Sequence, residues 1–397
     1  MTDLPPAFLA LFLVTLTVGI MWAKCHPPLA FLFRWVPVPF YCYFIPTCLT
    51  AVGFLPSTSV LYGAAARFLL PLCLALLLVP VNISALRGLG RPALVAMGWA
   101  MAGIVLGLVG AHGLFQGHLP VDSWKSVGAL AGSWTGGSAN LIAVKESLGA
   151  TENVFSPILL VDTMFAYTWM ALLVWLAGGQ ASVDRWTKAR PTEFSAAPRL
   201  PKRPERSPPW GWGAVLSTAV GIAALSIGFG TVCGPHLSRW ISLAWPSLGG
   251  SLKPVTWTVI AVTSGSLLAA CSDRFRARAD RTERLGTVFL LFLLTTLGAQ
   301  ASFTAVENAP AFLAVGAVAL AIHGMVLALG ARLCRLPLSL IATTSQACVG
   351  GVVSAPLVGA VYHPALAAVG LLLAVVGNVV GTYVGLMTAH LCSWGGP

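Results

Sequence analysis

Gly132-Ser133-Trp134-Thr135-Gly136-Gly137-Ser138-Ala139-Asn140 sets three glycines, three hydroxyls and a carboxamide at the centre of an otherwise apolar segment, Ser123–Leu148. A second segment of the same kind, Leu336–Tyr362, carries Thr343, Thr344, Ser345, Gln346, Gly350, Gly351, Ser354 and Pro356. Each puts polar and glycine residues where a helix crossing a bilayer would pass the midplane. Such a break frees backbone N–H and C=O groups, each costing several kcal/mol if left unpaired in hydrocarbon. It persists only where protein, water or a ligand satisfies them. A matched pair of interrupted segments is the sequence signature of a transporter's binding site.

The rest of the chain supplies the membrane context. Of 397 residues 57% are hydrophobic and 9% charged, against roughly 25% charged in an ordinary soluble domain. Apolar runs long enough to span, at about 20 residues each, recur as Ala7–Ala23, Trp35–Leu55, Pro92–Phe115, Phe155–Gly178, Gly286–Val306 and Ala365–Cys392. Their continuity predicts an all-α polytopic membrane protein of about twelve segments, within a range of eleven to thirteen, and excludes the short alternating strands of a barrel. Met1–Pro6 carries Asp3 and no basic residue, so the first run is expected to be a retained helix rather than a cleaved signal.

The net charge of +11 does not point to nucleic acid. Basic residues concentrate in two stretches, Gly179–Trp210 and Ser272–Leu285, the pattern of cytoplasmic loops. Both loops are therefore expected on one side, with Gly211–Thr231 and Pro254–Cys271 as the two crossings between them. The nine cysteines are scattered through apolar runs without CxxC or Cys/His spacing, so no resident metal or cofactor is expected. Asn82-Ile-Ser84 matches a glycosylation sequon by pattern alone. The chain has no HExxH, no GxSxG and no paired membrane aspartates, which argues against an intramembrane enzyme.

Gly179–Trp210 is rich in proline and in charges of both signs and divides the chain into related halves, residues 1–178 and 211–397, joined by a cytoplasmic linker at 179–210. The interrupted segment is the fifth of each half. Basic residues follow the first and third segments of the first half (Lys24, Arg34, Arg87, Arg91) but the second and fourth of the second (Arg274 to Arg284, Arg332, Arg335). Opposite bias on matching loops is what inverted repeats produce, although six crossings per half would make the repeats parallel.

Candidate ligand-binding groups are Ser133, Thr135, Gly136, Gly137, Ser138 and Asn140 from the first break, and Thr344, Ser345, Gln346, Gly350, Gly351 and Ser354 from the second. Hydroxyl and amide oxygens suit a hard monovalent cation or a polar solute, and half-helix N-termini favour an anion. The glycines serve helix packing equally well, since Gly128, Gly132 and Gly136 form a small-xxx-small row. Asp162, with Thr163 beside it, lies in the next apolar segment. A mid-membrane acid costs about 2.5–3.5 kcal/mol on insertion scales, so it is a candidate to carry a proton or ligate sodium. Asn378 stands at the corresponding place in the second half, on a helix with a packing face of Gly377, Gly381 and Gly385. Lys145 and Glu146 are expected at the surface, Arg67 near a helix end, His323 as an isolated structural histidine, and Glu307 and Asn308 in a short loop.

Residues 132–140, the Asp162 helix, Thr344–Gly351 and Gly377–Gly385 resemble the YjcL-like membrane proteins, the family of domain of unknown function 819. That family is similar in turn to the cation/proton antiporter and anion transporter superfamily. The resemblance implies inverted repeats, a moving core of two crossed broken helices, a scaffold of the remaining helices, and an ion handled by an acid in the position of Asp162. Cys348 departs from the family's more usual asparagine, and Thr163 follows Asp162 where asparagine is usual. The last helix has no acid or lysine, which favours symport over a two-carboxylate antiporter.

Sequence and resemblance together predict an ion-coupled secondary transporter, using sodium or protons, of a small polar or anionic organic solute. It would sit in a plasma, inner or organelle membrane, with the bilayer and the solute as partners and a homodimer as a further expectation. The alternatives are a cation/proton antiporter without organic substrate and a non-transporting membrane scaffold or receptor.

Overall fold

Within a bilayer every backbone polar group must be bonded inside the protein, and among the described residues the apolar runs are built on helices. The computed structural model describes residues 5–35, 38–81, 89–189, 212–244, 253–272, 279–301 and 309–394. Most of the linker, the sequon at 82–84, Arg87, Arg274, Arg276, Arg278, Glu307 and Asn308 lie outside the described residues.

In chain order the helices are α1 (Pro6–Cys25), α2 (Leu32–Trp35), α3 (Val38–Ala51), α4 (Val60–Ala64) continuing through a π turn (Ala65–Leu69) into α5 (Leu70–Leu78), α6 (Arg91–Phe115), α7 (Ser123–Gly136), α8 (Ser138–Leu148), α9 (Glu152–Leu176) and α10 (Gln180–Thr187). The second half contains α11 (Trp212–Val232), α12 (Gly234–Ala244), α13 (Pro254–Ala270), α14 (Ala279–Gly298), α15 (Ala309–Cys334), α16 (Leu338–Val349), α17 (Gly351–Tyr362) and α18 (Pro364–Trp394). No strand occurs among the described residues. Seven helical stretches, built on α1, α4–α5, α6, α9, α11, α15 and α18, are long and apolar enough to cross a membrane, and α3, α13, α16 and α17 are shorter apolar helices. The chain is a polytopic helical membrane protein. Arg67 falls within the π turn, over the Phe68 ring at 5.5 Å, rather than at a helix end.

The interrupted segments depart from expectation. They neither run straight through nor cross one another; each doubles back. A Cβ added at Gly385 of α18 would lie 2.7 Å from Val144 Cγ2 and 2.8 Å from the Gly128 carbonyl oxygen. Sixteen residues of continuous helix would hold positions 128 and 144 about 24 Å apart, so α8 must return beside α7. In the second segment Thr343 and Ala355 both abut Gly370. Leu338 N–H, at the start of α16, donates to Asp184 Oδ1 at 2.7 Å, and Tyr362, at the end of α17, senses the same carboxylate. Both ends of the segment are therefore at one level. Fourteen residues of α7 reach about 21 Å and twelve of α16 about 18 Å, short of the roughly 30 Å hydrocarbon core. Each segment is a helical hairpin whose arms are too short to span.

The helices fall into two groups. α1–α5 and α11–α14 pack among themselves, with α14 against α3 and α5, and α11 against α5 and α13. The other group is α6–α10 with α15–α18, in which α6 pairs with α15 and α18 packs along α7 and α17. The first group is called the frame below, and the second the core. Each group draws helices from both halves of the chain.

Candidate functional site

The two hairpins approach α18 from opposite ends. α7 runs antiparallel to it, with Gly128 against Gly385 and Ala389, and Gly136 against Gly377 and Gly381. α17 runs antiparallel to its first half, with Gly359 at Leu366 and Ala355 at Gly370. The tips, Gly137 and Gly350–Gly351, therefore converge halfway along α18, where Asn378 stands. The row of Gly377, Gly381 and Gly385 is the packing face read from sequence, and it serves the first hairpin: Cβ atoms there would strike Thr135 O, Gly136 and Val144.

Local chemistry makes each tip. Gly137 adopts φ 79°, ψ 179°, a region open essentially to glycine alone, and this reverses the chain. Asn140 then closes the turn: its Nδ2 donates to Gly136 O at 2.5 Å and to Asn378 O at 3.3 Å, while Thr382 Oγ1 donates to its Oδ1 at 2.5 Å. In the second hairpin Gly351 takes φ 71°, and Gln346 Nε2 donates to Ser354 Oγ across the turn at 2.8 Å.

These bonds sort the candidate residues. Thr135, Thr343 and Thr344 give their hydroxyl protons to carbonyls one turn back, at 2.6, 2.7 and 2.7 Å, and are buried. Asn140 is fully engaged as a clamp. Gly136 is a close-packing glycine. The residues left partly open at the tips are Gly137, Ser138, Gly350, Gly351, Ser354 and Asn378. Asn378 Oδ1 lies 3.6 Å from where a Gly137 Cβ would be. Gln346 Oε1 is buried without a hydrogen-bond partner, an acceptor left without a donor or cation beside the second tip.

α9 lines the gap between the hairpins on one face, through residues 162, 166, 169 and 173. Asp162, half-buried, faces Ser133 and Trp134 of the first hairpin, and Trp134 Nε1 has no acceptor in bonding geometry. Ala166 O lies 3.5 Å from Gln346 Nε2. Trp169 Nε1 donates to Ser345 Oγ at 2.8 Å, and Tyr362 OH donates to Leu173 O at 2.6 Å. No basic side chain pairs with Asp162 among the described ion pairs. Thr163 is half-buried beside it.

Two groups differ from expectation. Lys145 is not at the surface: it is 6% exposed and sits 2.6 Å from Glu152 Oε1 and 2.8 Å from Glu146 Oε1. Folding α8 back along α7 puts it inside, and Glu152 from the start of α9 neutralises it. Glu146 is drawn partly inside with it. His323 is structural in its burial but not isolated. Its Nε2 is 2.8 Å from Ser345 Oγ, and its Nδ1 side faces Ala100 and Gly103 of α6. Ser345 thus joins α9, α15 and the second hairpin. The one-face spacing of Trp169 with Asp162 was the available signal for this cluster. The start of the 179–210 stretch is helical, as α10, and its Asp184 caps α16.

The chain belongs to the family described as protein of unknown function (DUF819), whose model matches residues 10–394. No curated protein matches the chain.

Proposed function

We propose that this protein is an ion-coupled secondary transporter, using sodium or protons, for a small polar or anionic organic solute. The observation that carries it is the meeting of two hairpin tips halfway along α18, beside Asp162, an acid with no basic partner among the described ion pairs. Each tip joins a helix C-terminus, which favours a cation, to a helix N-terminus, which favours an anion. Asp162, Ser133, Gln346 Oε1 and Ser354 offer oxygens to a cation. The N-termini of α8 and α17, with Asn378, offer donors to a carboxylate or another polar head.

The hairpins also remove the parity problem of the repeats. If neither hairpin crosses, each half has five spans (α1, α3, α4–α5, α6 and α9; then α11, α13, α14, α15 and α18), and an odd number inverts the second half. Lys24, Arg34, Arg87, Arg91, the linker, Arg274 to Arg284, Arg332 and Arg335 then share the cytoplasmic side, as the positive-inside bias requires. The outer side holds fewer basic residues: Lys125 and Lys145, neutralised by acids at 2.6 Å from Asp122 and Glu152, and Arg239 and Lys253 between α11 and α13. In this reading the first hairpin enters from outside and the second from inside, and the core moves against the frame to expose the site alternately.

The test is thermal stability of the purified protein in sodium, potassium and choline salts from about pH 5 to 9, with Asp162→Asn alongside. A ligand of the folded state adds about 2.7 kcal/mol at a hundred times its Kd. Sodium-specific stabilisation lost in the variant supports sodium coupling, and a pH dependence lost in the variant supports protons. Indifference to ion, pH and substitution contradicts the mechanism. Because no basic side chain pairs with Asp162 among the described ion pairs, a cation/proton antiporter is the second reading; ion exchange with every organic solute absent would select it.

A further inference from the structure

The polar contacts between core and frame are concentrated where the first hairpin returns to α9. Tyr43 of α3, in the frame, donates its hydroxyl proton to Glu152 Oε2 at 2.9 Å, with Ser156 Oγ 2.6 Å away. Glu152 is the acid that neutralises Lys145, and the Lys145 ammonium lies 5.5 Å from the Phe155 ring centroid. Phe155 in turn meets Tyr43 edge-on at 6.1 Å. A few residues along, Thr256 of α13 donates to Ser147 O at 2.7 Å, and the Lys253 side chain lies over Gly149. One more contact, Ser264 with Tyr383 OH at 2.7 Å, joins the bodies midway along α13 and α18.

The other end of the core differs. At the base of the second hairpin the groups that bond Leu338 N–H and Tyr362 OH are Asp184 and Leu173 O, both from the core itself. The side-chain bonds from core to frame described above thus lie at the first hairpin and midway along α18.

We infer that the Tyr43–Glu152 contact, with Thr256–Ser147, is a latch that holds the outer end of the core shut against the frame, so that this structure is the outward-closed state. The inference rests on the transport reading and its orientation. Its chemistry follows from the buried charge pair: Lys145 and Glu152 stay together within the core, so the pair survives a displacement of the core. Only Glu152 Oε2 exchanges its partner, from the Tyr43 hydroxyl to water. The latch can open without stranding a buried charge, whose isolation would be far more costly.

The experiment uses full-length protein in sealed vesicles of each orientation, with native cysteines replaced and Ala139→Cys at the first tip as reporter. The rate of labelling by a membrane-impermeant maleimide is read from each side. Tyr43→Phe removes one oxygen and is expected to raise outer-side labelling roughly 10- to 100-fold, the worth of one hydrogen bond to a charged group; Thr256→Val, which removes the donor to Ser147 O and leaves the Lys145–Glu152 pair intact, is the second variant and should act in the same direction. Oxidising a Ser147→Cys/Thr256→Cys pair should abolish outer-side labelling and leave inner-side labelling intact. Outer-side rates unchanged by both substitutions and by the cross-link would overturn the latch. Labelling that responds in a protein indifferent to ions and pH would keep the latch and discard ion coupling, so the two failures are distinguishable.

Discussion

The two hairpins are built to the same plan and held very differently. In the first, α7 and α8 are both buried for most of their length, glycine rows bring it against α18, Asn140 ties its turn on three sides, and an ion pair fixes its return arm. In the second, every residue of α16 is buried, but α17 buries only Ala355, Val358 and Gly359 and leaves Val353 76%, Leu357 60% and Val361 51% exposed. Its turn is closed by a single side-chain bond, and Gln346 Oε1 remains unpartnered there. Packing density decides which elements move, since loosely packed elements open at the lowest free energy. Within the core the first hairpin is thus the firmly held arm of the candidate site, and the return arm of the second is the more loosely packed one.

The comparison breaks most sharply at Lys145. Lys145→Met leaves Glu152 buried without its cation and should destabilise the protein by about 3–5 kcal/mol, whereas Lys145→Met with Glu152→Leu should recover most of the loss; chemical denaturation of the purified variants measures both. Next come the tip glycines. Gly136→Ala drives a methyl into Asn140 and Gly377 O, an overpacking cost of about 1–3 kcal/mol. Gly351→Ala meets open space and should cost only about 1–2 kcal/mol, from its left-handed backbone. A larger loss at Gly351 than at Gly136 would remove the distinction between the two arms. The smallest effect is Ser354→Ala, expected to cost about 0.5–1.5 kcal/mol, as one hydrogen bond is lost. If Ser354 also serves the ligand, the variant should weaken ion-dependent stabilisation as well, which a titration of the melting temperature with salt would register.

Much of this was legible in the residues. Composition fixed the membrane class, the two polar glycine segments marked the tips, and the spacing of Gly377, Gly381 and Gly385 announced a helix face that does pack closely. The reversals were not legible, because twenty-six residues serve equally as one interrupted span or as two short arms. What decides is the backbone at Gly137, and Gly136-Gly137 permits both paths. Lys145 and Glu146 looked like a solvated helix end for the same reason: only once α8 turns back does Glu152, seven residues on and across a bend, become the partner that lets a lysine be buried. The His323–Ser345–Trp169 cluster joins α15 and α16 to α9, whose Trp169 stands 176 residues before Ser345, and no local pattern in α15 signals it.

The central claim is that two hairpins enter the membrane from opposite faces and meet at Asn378. It is tested most directly by labelling single cysteines at their bases. Val121→Cys, 91% exposed just before α7, and the native exposed Cys334, just before α16, would each be kept alone in an otherwise cysteine-free chain and treated with an impermeant maleimide in sealed vesicles. The account predicts that Val121→Cys reacts from outside and Cys334 from inside. Reaction of both from the same face would contradict it.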